Sequence, residues 1–510
     1  MRGIDTEVRK NRRRVFKEIA NLAYNSQDLA ADMENLPYII VESEDNPYWE
    51  NVYREREVVR ERLRLALGMS LRPKDVPVNV SQGVELSNID EKYYEPPLLQ
   101  VIPSACHACP ENKFEVTEQC MGCAAHPCRE VCPRGAITMK NGRSYIDQEK
   151  CIKCGKCKEV CPYDAISHSE RPCMKACGVK AIGTGDHGRA VIDPDKCVTC
   201  GMCMVSCPFG AIADKSQIFQ LIRALQSGRE IIAQVAPAFV GQFGPKVTPE
   251  MLKEALMRLG FSGVYETALG ADYGCLQEAR HYVDEVASGK QNFSLTSCCP
   301  SWSVLAKKYF PETIDKISNE LTPMVATARI IKQEHPSASV VFIGPCVSKK
   351  LEASRRTVRS DVDFVITFEE LAGIFEAKGI FLEEMHKQAE MEMQNRVTSL
   401  GRGYGVAGGV AGAIKKAIDT YYPGTEVKIE HAQGLEDCRK ALLMAKAGRL
   451  NGYLIEGMAC PGGCVAGAGT NITIPQATKA VTQFASTSEK KIPENLWPDE
   501  KTDEKNPDNT

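Results

Sequence analysis

The alternation of hydrophobic and polar positions divides the 510-residue chain into stretches of different rhythm. In "NPYWENVYREREVVRERLRLALGM" apolar residues interleave with Arg and Glu at helical spacing, so residues 1–98 are expected to be a mostly helical segment that covers the next region or forms an oligomer contact. Residues 99–225 instead carry a short half-repeat ending in Cys-x3-Cys and a small hydrophobic turn: "CREVCPRGAI", "CKEVCPYDAI", "CMKACGVKAI" and "CMVSCPFGAI". From 226 to 485 apolar runs of strand length alternate with helical segments. "REIIAQVAPAFVGQFG" is a β-branched strand pattern running into Pro237, and "NFSLTSCC", "SVVFIGPC" and "GYLIEGMAC" follow, separated by stretches such as "TPEMLKEALMRLG". That alternation predicts an α/β sheet domain with its site in the loops after the strands. The tail, 486–510, is polar, contains proline and is expected to be disordered.

Composition narrows the setting. A chain of this length with 43% hydrophobic residues can bury a large core in several domains. A net charge of -3 supplies no global basic field, so nucleic acid and anionic membranes are not expected partners. No stretch approaches the roughly 20 apolar residues of a membrane span, and the basic N-terminus lacks the apolar core of a signal peptide. The protein is therefore expected in the cytoplasm, and the run Arg12, Arg13, Arg14 is read as a solvated helix face.

Twenty-three cysteines in such a chain argue for metal rather than disulfides. Sixteen fall between residues 106 and 207 and seven beyond. Two runs have the bacterial ferredoxin spacing C-x2-C-x2-C-x3-C-P: Cys151, Cys154, Cys157, Cys161 and Cys197, Cys200, Cys203, Cys207. In such runs three thiolates hold one [4Fe-4S] cluster and the fourth reaches its neighbour. A looser run has Cys120, Cys123, Cys128 and Cys132, and another half-repeat keeps only Cys173 and Cys177. Exchange of the fourth ligands then groups Cys120, Cys123, Cys128 with Cys161; Cys151, Cys154, Cys157 with Cys132; and Cys197, Cys200, Cys203 with Cys177. The pair Cys106 and Cys109 in "SACHACP" would close a fourth cluster with Cys173 and Cys207. Three clusters, with that pair unused or binding elsewhere, is the other reading. His107 and His126 are taken as bystanders.

Clusters in series without flavin or nucleotide motifs make an electron wire. The Gly-rich stretches "GFSGVYETALGADYG" and "GRGYGVAGGVAGAIKK" are read as close-packed turns and helix starts. In the C-terminal domain Cys299, Cys346, Cys460 and Cys464 follow three separate strand patterns, where four thiolates can converge on one more cubane. Pro300, Pro345 and Pro461 stiffen those loops.

"TSCCPSW", "GPCVSKKLE" and "EGMACPGGCVAGAG" resemble, in order and separation, the three signature loops of [FeFe]-hydrogenases, over about residues 230–485. The resemblance implies an α/β catalytic domain with two lobes of parallel-type sheets, beside α+β ferredoxin-like modules at 99–168 and 169–225. It implies an H-cluster: a [4Fe-4S] cubane on Cys299, Cys346, Cys460 and Cys464, with Cys464 bridging to a diiron subcluster carrying CO, cyanide and azadithiolate. By the same matching, Lys349 would hydrogen-bond a cyanide, Met458 would pack near the bridging CO, and Glu352 would be structural. Cys298 would be the proton donor, and an ordinary thiol pKa near 8.5 would suit it to exchange protons near neutrality. Glu278 and Ser318 match the next relay positions, and His281 stands where the family commonly has a second glutamate, on the same helix face as Glu278. Departures from the usual motifs are Gly344 before Pro-Cys, "GAGT" at 467–470, and Ala238 at a frequent serine position. Cys275 and Cys438 are expected in the core.

The expected function is reversible production of H2 from protons and electrons, with ferredoxin or a similar one-electron carrier as partner and maturation proteins building the diiron unit. H2 sensing and cluster-only iron-sulfur assembly or electron transfer are the alternatives. The oligomeric state is not legible.

Overall fold

The computed structural model describes residues 3–41, 51–89, 94–385 and 396–494. The catalytic region is built on two parallel sheets. In the first, the strands run in the order Gly263–Glu266, Ile231–Val235, Ser339–Gly344, Phe364–Thr367. Every residue of Ile231–Val235 and of Phe364–Thr367 is buried, as befits parallel strands covered by helices on both faces. In the second sheet Tyr453–Met458 lies between Phe293–Leu295 and Lys428–Gln433, again parallel throughout. Expectation and structure agree on a two-sheet α/β domain. All the strands that precede cysteine loops point their C-terminal ends at the gap between the sheets.

The two Gly-rich stretches pack closely, as expected. A Cβ on Gly270, in the helix Ala268–His281, would lie 2.4 Å from the carbonyl of Pro323, which begins the neighbouring helix Pro323–Glu334. Cys275 and Cys438 are wholly buried.

Upstream, four antiparallel two-stranded pairings form the ferredoxin-like modules. Spatial order departs from the expected boundary at residue 168. Leu99–Val101 pairs with Ile212–Asp214, and Cys106 Sγ accepts from the amide of Ala190, so residues 99–109 belong to the second module. The first module, whose outer pairing joins Lys113–Val116 to Ile166–Ser169, is an insertion between the halves of the second.

The N-terminal helices are not a separate layer. Glu7–Asn25 shares one hydrophobic core with the first sheet through Val15, Ile19 and Ala23. Arg12 pairs with Glu369 at 2.5 Å and Arg13 with Glu376 at 3.5 Å, both on the helix Phe368–Lys378. Arg12 and Arg13 are thus docking contacts, because long side chains can bury their stems while their heads meet carboxylates, whereas Arg14 is exposed as a solvated face requires. Helix Val52–Ala66 covers the second module, where Arg62 donates to the Gly210 carbonyl at 2.8 Å. The rest of the stretch read as helix before it, residues 46–50, lies outside the described residues. The tail also starts later than expected. Ser488 is buried and accepts from Arg402, and the amide of Ser399 donates to the carbonyl of Lys490; residues 495–510 lie outside the described residues.

Second module and catalytic region are locked by Lys350. Its buried ammonium donates to Asp214 Oδ2 (2.7 Å), Glu370 Oε1 (2.7 Å) and the Lys215 carbonyl (2.8 Å), which uses all three N–H groups. Lys350→Ala leaves two buried carboxylates without their cation and is expected to destabilise the protein by about 3–5 kcal/mol. A lowered thermal unfolding midpoint checks this; an unchanged midpoint would show that the triad does not bear on the interface.

Candidate metal centre

Cys298 and Cys299 follow Phe293–Leu295, Cys346 follows Ser339–Gly344, and Cys460 and Cys464 follow Tyr453–Met458. All five line one cavity between the two sheets. Its other walls are mainly apolar, among them Pro237, Met324, Phe342, Val410 and Met458. These five thiols lie deep in the protein and owe their partial accessibility to the cavity they share.

The backbone is arranged for anionic sulfur. Cys299 caps the helix Pro300–Tyr309, and the amides of Ser301, Trp302 and Ala459 face its sulfur. Cys346 stands just before the helix Ser348–Ala353, with the amides of Ser348 and Lys349 facing it. Helix starts favour negative charge. Four convergent thiols, aimed amides and an apolar surround fit an iron-sulfur cluster held by thiolates. Among the described residues no three His, Cys, Asp or Glu side chains gather tightly enough for a single metal ion.

The upstream cysteines group in space much as the ligand-exchange arithmetic requires. Cys106, Cys109, Cys173 and Cys207 line one small cavity. Cys132, Cys151, Cys154 and Cys157 line another. Cys177, Cys197, Cys200 and Cys203 lie within mutual electrostatic reach. Cys128 and Cys161 share a core cluster with Cys132, Cys151 and Cys157, and Ser144 links Cys120 to the group, its hydroxyl lying 3.4 Å from Cys128 Sγ and its amide and hydroxyl facing Cys120. Each half-repeat places a cysteine on a one-turn helix: Cys128, Cys157, Cys173 and Cys203. The next cysteine then accepts from the amide four residues on, as in Ala136 to Cys132 (3.3 Å), Ala181 to Cys177 (3.2 Å) and Ala211 to Cys207 (3.4 Å). His107 stacks on Phe209 with ring centroids 4.0 Å apart, in keeping with a bystander role.

Cys200 lies within electrostatic reach of Cys299 and Cys460. The contact is held by Lys308, which donates to the carbonyls of Pro194, Asp195 and Cys197, and by Ser301, which donates to Val198 at 2.9 Å. The second module therefore abuts the large cavity directly.

Residues 229–468 match the profile of the iron-only hydrogenase large subunit, C-terminal domain, and residues 144–167 and 190–213 match the 4Fe-4S binding domain. The periplasmic [Fe] hydrogenase large subunit of Nitratidesulfovibrio vulgaris is 30% identical over 373 residues, covering 64% of this chain and 85% of that protein. The chain belongs to the iron-only hydrogenase family. Iron hydrogenase 1 of Clostridium pasteurianum is 31% identical over 372 residues, 64% of either chain, so the match spans just under two thirds of that relative. Cytosolic iron-sulfur assembly component 3 of Bos taurus is 26% identical over 276 residues, 45% of this chain and 58% of that one.

In this hydrogenase-family chain Lys349 and Met458 both line the cavity. Lys349 Nζ is held by Glu352 Oε2 at 2.6 Å and Thr322 Oγ1 at 3.1 Å, which leaves one of its three N–H groups for the cavity. Glu352 thus has the structural role expected of it. Cys298 differs from the expectation of an ordinary thiol. Burial pushes its pKa well up, and Cys299, Glu278, Cys464 and Glu456 push the same way, so it holds its proton at neutral pH.

Glu278 is buried, and its Oε1 accepts from the amide and hydroxyl of Ser297 at 3.4 and 3.3 Å. Burial raises its pKa to about 8 against the pull of these bonds, with Glu320 adding to the rise and Ser318 opposing it. Ser318 is buried beside it and accepts from the Glu320 amide at 3.3 Å. His281 takes no part in this network. Its Nε2 is buried with no partner among the described residues, and burial lowers its pKa against the pull of Glu285 and Asp284. Sequence reasoning missed Glu320, a half-buried acid with a raised pKa, and Tyr404, a buried phenol on the cavity wall. The nearness of Glu320 to Ser318 was the available signal for the first; nothing local marks the second.

A carboxyl with its pKa near 8 stays protonated at pH 7. The protein is expected to show a buried carboxylic acid C=O infrared band at pH 6 that fades as pH rises through about 8. Glu278→Gln should remove it; a band absent from wild type at pH 6 would mean that Glu278 is ionised.

Proposed function

We propose that the protein is an [FeFe]-hydrogenase, interconverting two protons and two electrons with H2. Cys299, Cys346, Cys460 and Cys464 would hold the H-cluster, and the sixteen upstream cysteines would hold four [4Fe-4S] clusters. The observation that carries this reading is Cys298. It is a protonated thiol on the wall of the cavity that the four presumptive ligands line, backed by a carboxyl that also keeps its proton at neutral pH. A protein that only stores or passes electrons has no use for such a pair.

When bound, the cluster would supply the redox equivalents and the metal at which the H–H bond is made or broken. The chain's own residues supply the rest. Cys298 gives a proton into the cavity, and Glu278 restores it. The Ser297, Ser318 and Glu320 network leads from Glu278 toward half-buried surface. Lys349 offers its remaining N–H to an anionic ligand, and Met458 fills the wall with a soft thioether that does not compete for the proton. The apolar walls exclude water. Electrons would arrive through the second module, where Cys200 adjoins Cys299, from a ferredoxin or similar one-electron carrier. Maturation proteins would install the diiron unit.

The test is H2 evolution from reduced ferredoxin after anaerobic reconstitution with the diiron subcluster; correctly loaded protein with no turnover would sink the enzyme reading. Infrared bands of bound CO and cyanide separate it from a role in iron-sulfur assembly, which the name of the Bos taurus relative carries. Cys298→Ala should lose nearly all turnover, roughly 100-fold or more, with those bands retained. Cys298→Ser should also be slow, because a hydroxyl is a far weaker acid. Loss of the bands in Cys298→Ala would make the residue structural.

A further inference from the structure

Of the 23 cysteines, Cys154 is the one exposed to solvent. It shares its small cavity with Cys132, Cys151, Cys157, Ile152 and Lys156. Ile152 and Lys156 are themselves exposed, Ile152 by 56%, so the wall between this cavity and water is a single layer of side chains. The loop that forms this wall, "KCIKCGKCK" at residues 150–158, holds four lysines and no acid. Lys150 pairs loosely with Asp147 at 3.8 Å, whereas Lys153, Lys156 and Lys158 are exposed and have no ion-pair partner among the described residues. Three lysines without ion-pair partners among the described residues therefore share one short loop, bracketed by Glu149 and Glu159, with an exposed apolar side chain beside a set of four thiols.

In the second module Cys197 also borders an open groove, walled by Val191, Arg189 and Lys308, but no cysteine there is as exposed as Cys154. Helix Val52–Ala66 seats Arg62 on Gly210 and Arg54 on the Ser104 carbonyl, and Lys308 of the catalytic region donates to the Cys197 carbonyl. Cys203, Cys207 and Cys173 are buried.

We propose that this face of the first module is the docking surface for a small acidic one-electron carrier protein. The inference rests on the reading of Cys132, Cys151, Cys154 and Cys157 as cluster ligands. One-electron transfer forms no bond: the reduced carrier loses an electron, the cluster gains it, and the only structural requirement is close approach. Ile152 supplies the apolar centre of the small contact that transient redox encounters use. The unpaired lysines supply the field that speeds and orients encounter with a carrier of opposite charge. On a chain with a net charge of only -3, this steering is local to the patch.

The probe is a purified acidic [2Fe-2S] ferredoxin, titrated at low ionic strength onto wild type and onto Lys153→Glu/Lys156→Glu/Lys158→Glu. The reversal is expected to weaken binding by at least about tenfold. Ferredoxin-driven H2 evolution should fall in proportion, with turnover driven by methyl viologen unchanged. Zero-length carbodiimide cross-links should map to residues 150–158. Iron content and the visible cluster spectrum confirm that the variant is intact; if it loses iron, Lys153→Gln/Lys158→Gln takes its place with a smaller loss in the same direction. Equal binding by wild type and variant, no binding by wild type, or cross-links confined to other lysines would overturn the proposal. Absence of viologen-driven turnover in wild type would count against the hydrogenase reading alone, since the binding and cross-linking arms do not depend on it.

Discussion

Sulfurs from three loops, carried by two separate sheets, have to meet around one cavity, and the rest of the structure depends on that convergence. Parallel strands make it possible, because their C-terminal ends all open on the same side and leave the loops free of the ladder. Phe293–Leu295 and Tyr453–Met458 deliver Cys299, Cys460 and Cys464 from the second sheet, and Ser339–Gly344 delivers Cys346 from the first. Neither sheet alone surrounds the site. The relative placement of the sheets is therefore as much a part of the ligand set as the cysteines are.

The same convergence explains the electrostatics. A cavity lined by apolar side chains favours neutral groups, so Cys298 and Glu278 keep their protons while the amides at the starts of two helices face Cys299 and Cys346. Neighbouring residues thus meet different surroundings, two of them adjacent in sequence. The lysine pair 349 and 350 shows the same division. Lys349 lines the cavity, while Lys350 points away to Asp214 and Glu370 and ties the electron-carrying module to the catalytic region. Adjacent side chains on a helix start reach opposite interfaces, so two consecutive cations serve two different surfaces.

Much of this was legible in the residues. Strand and helix alternation announced the α/β domain, and the cysteine spacings announced the ferredoxin-like modules, because cluster ligation constrains side chains a few residues apart. The orphan pair Cys106 and Cys109 meets Cys173 and Cys207 as the ligand arithmetic requires. Boundaries were less legible. The first module is inserted within the second, Arg12 and Arg13 dock a helix instead of facing solvent, and Ser488 packs where a loose tail was expected. Each of these depends on partners tens to hundreds of residues away, which no local pattern records.

By itself, the sequence determined which atoms can bind metal and in what local groups, since thiol chemistry and short spacings are properties of contiguous residues. The tertiary structure alone decided what those atoms experience. It raised Cys298 and Glu278 out of their ordinary titration ranges, left His281 outside the bonded network and brought in Glu320, because desolvation and hydrogen bonding are set by neighbours in space.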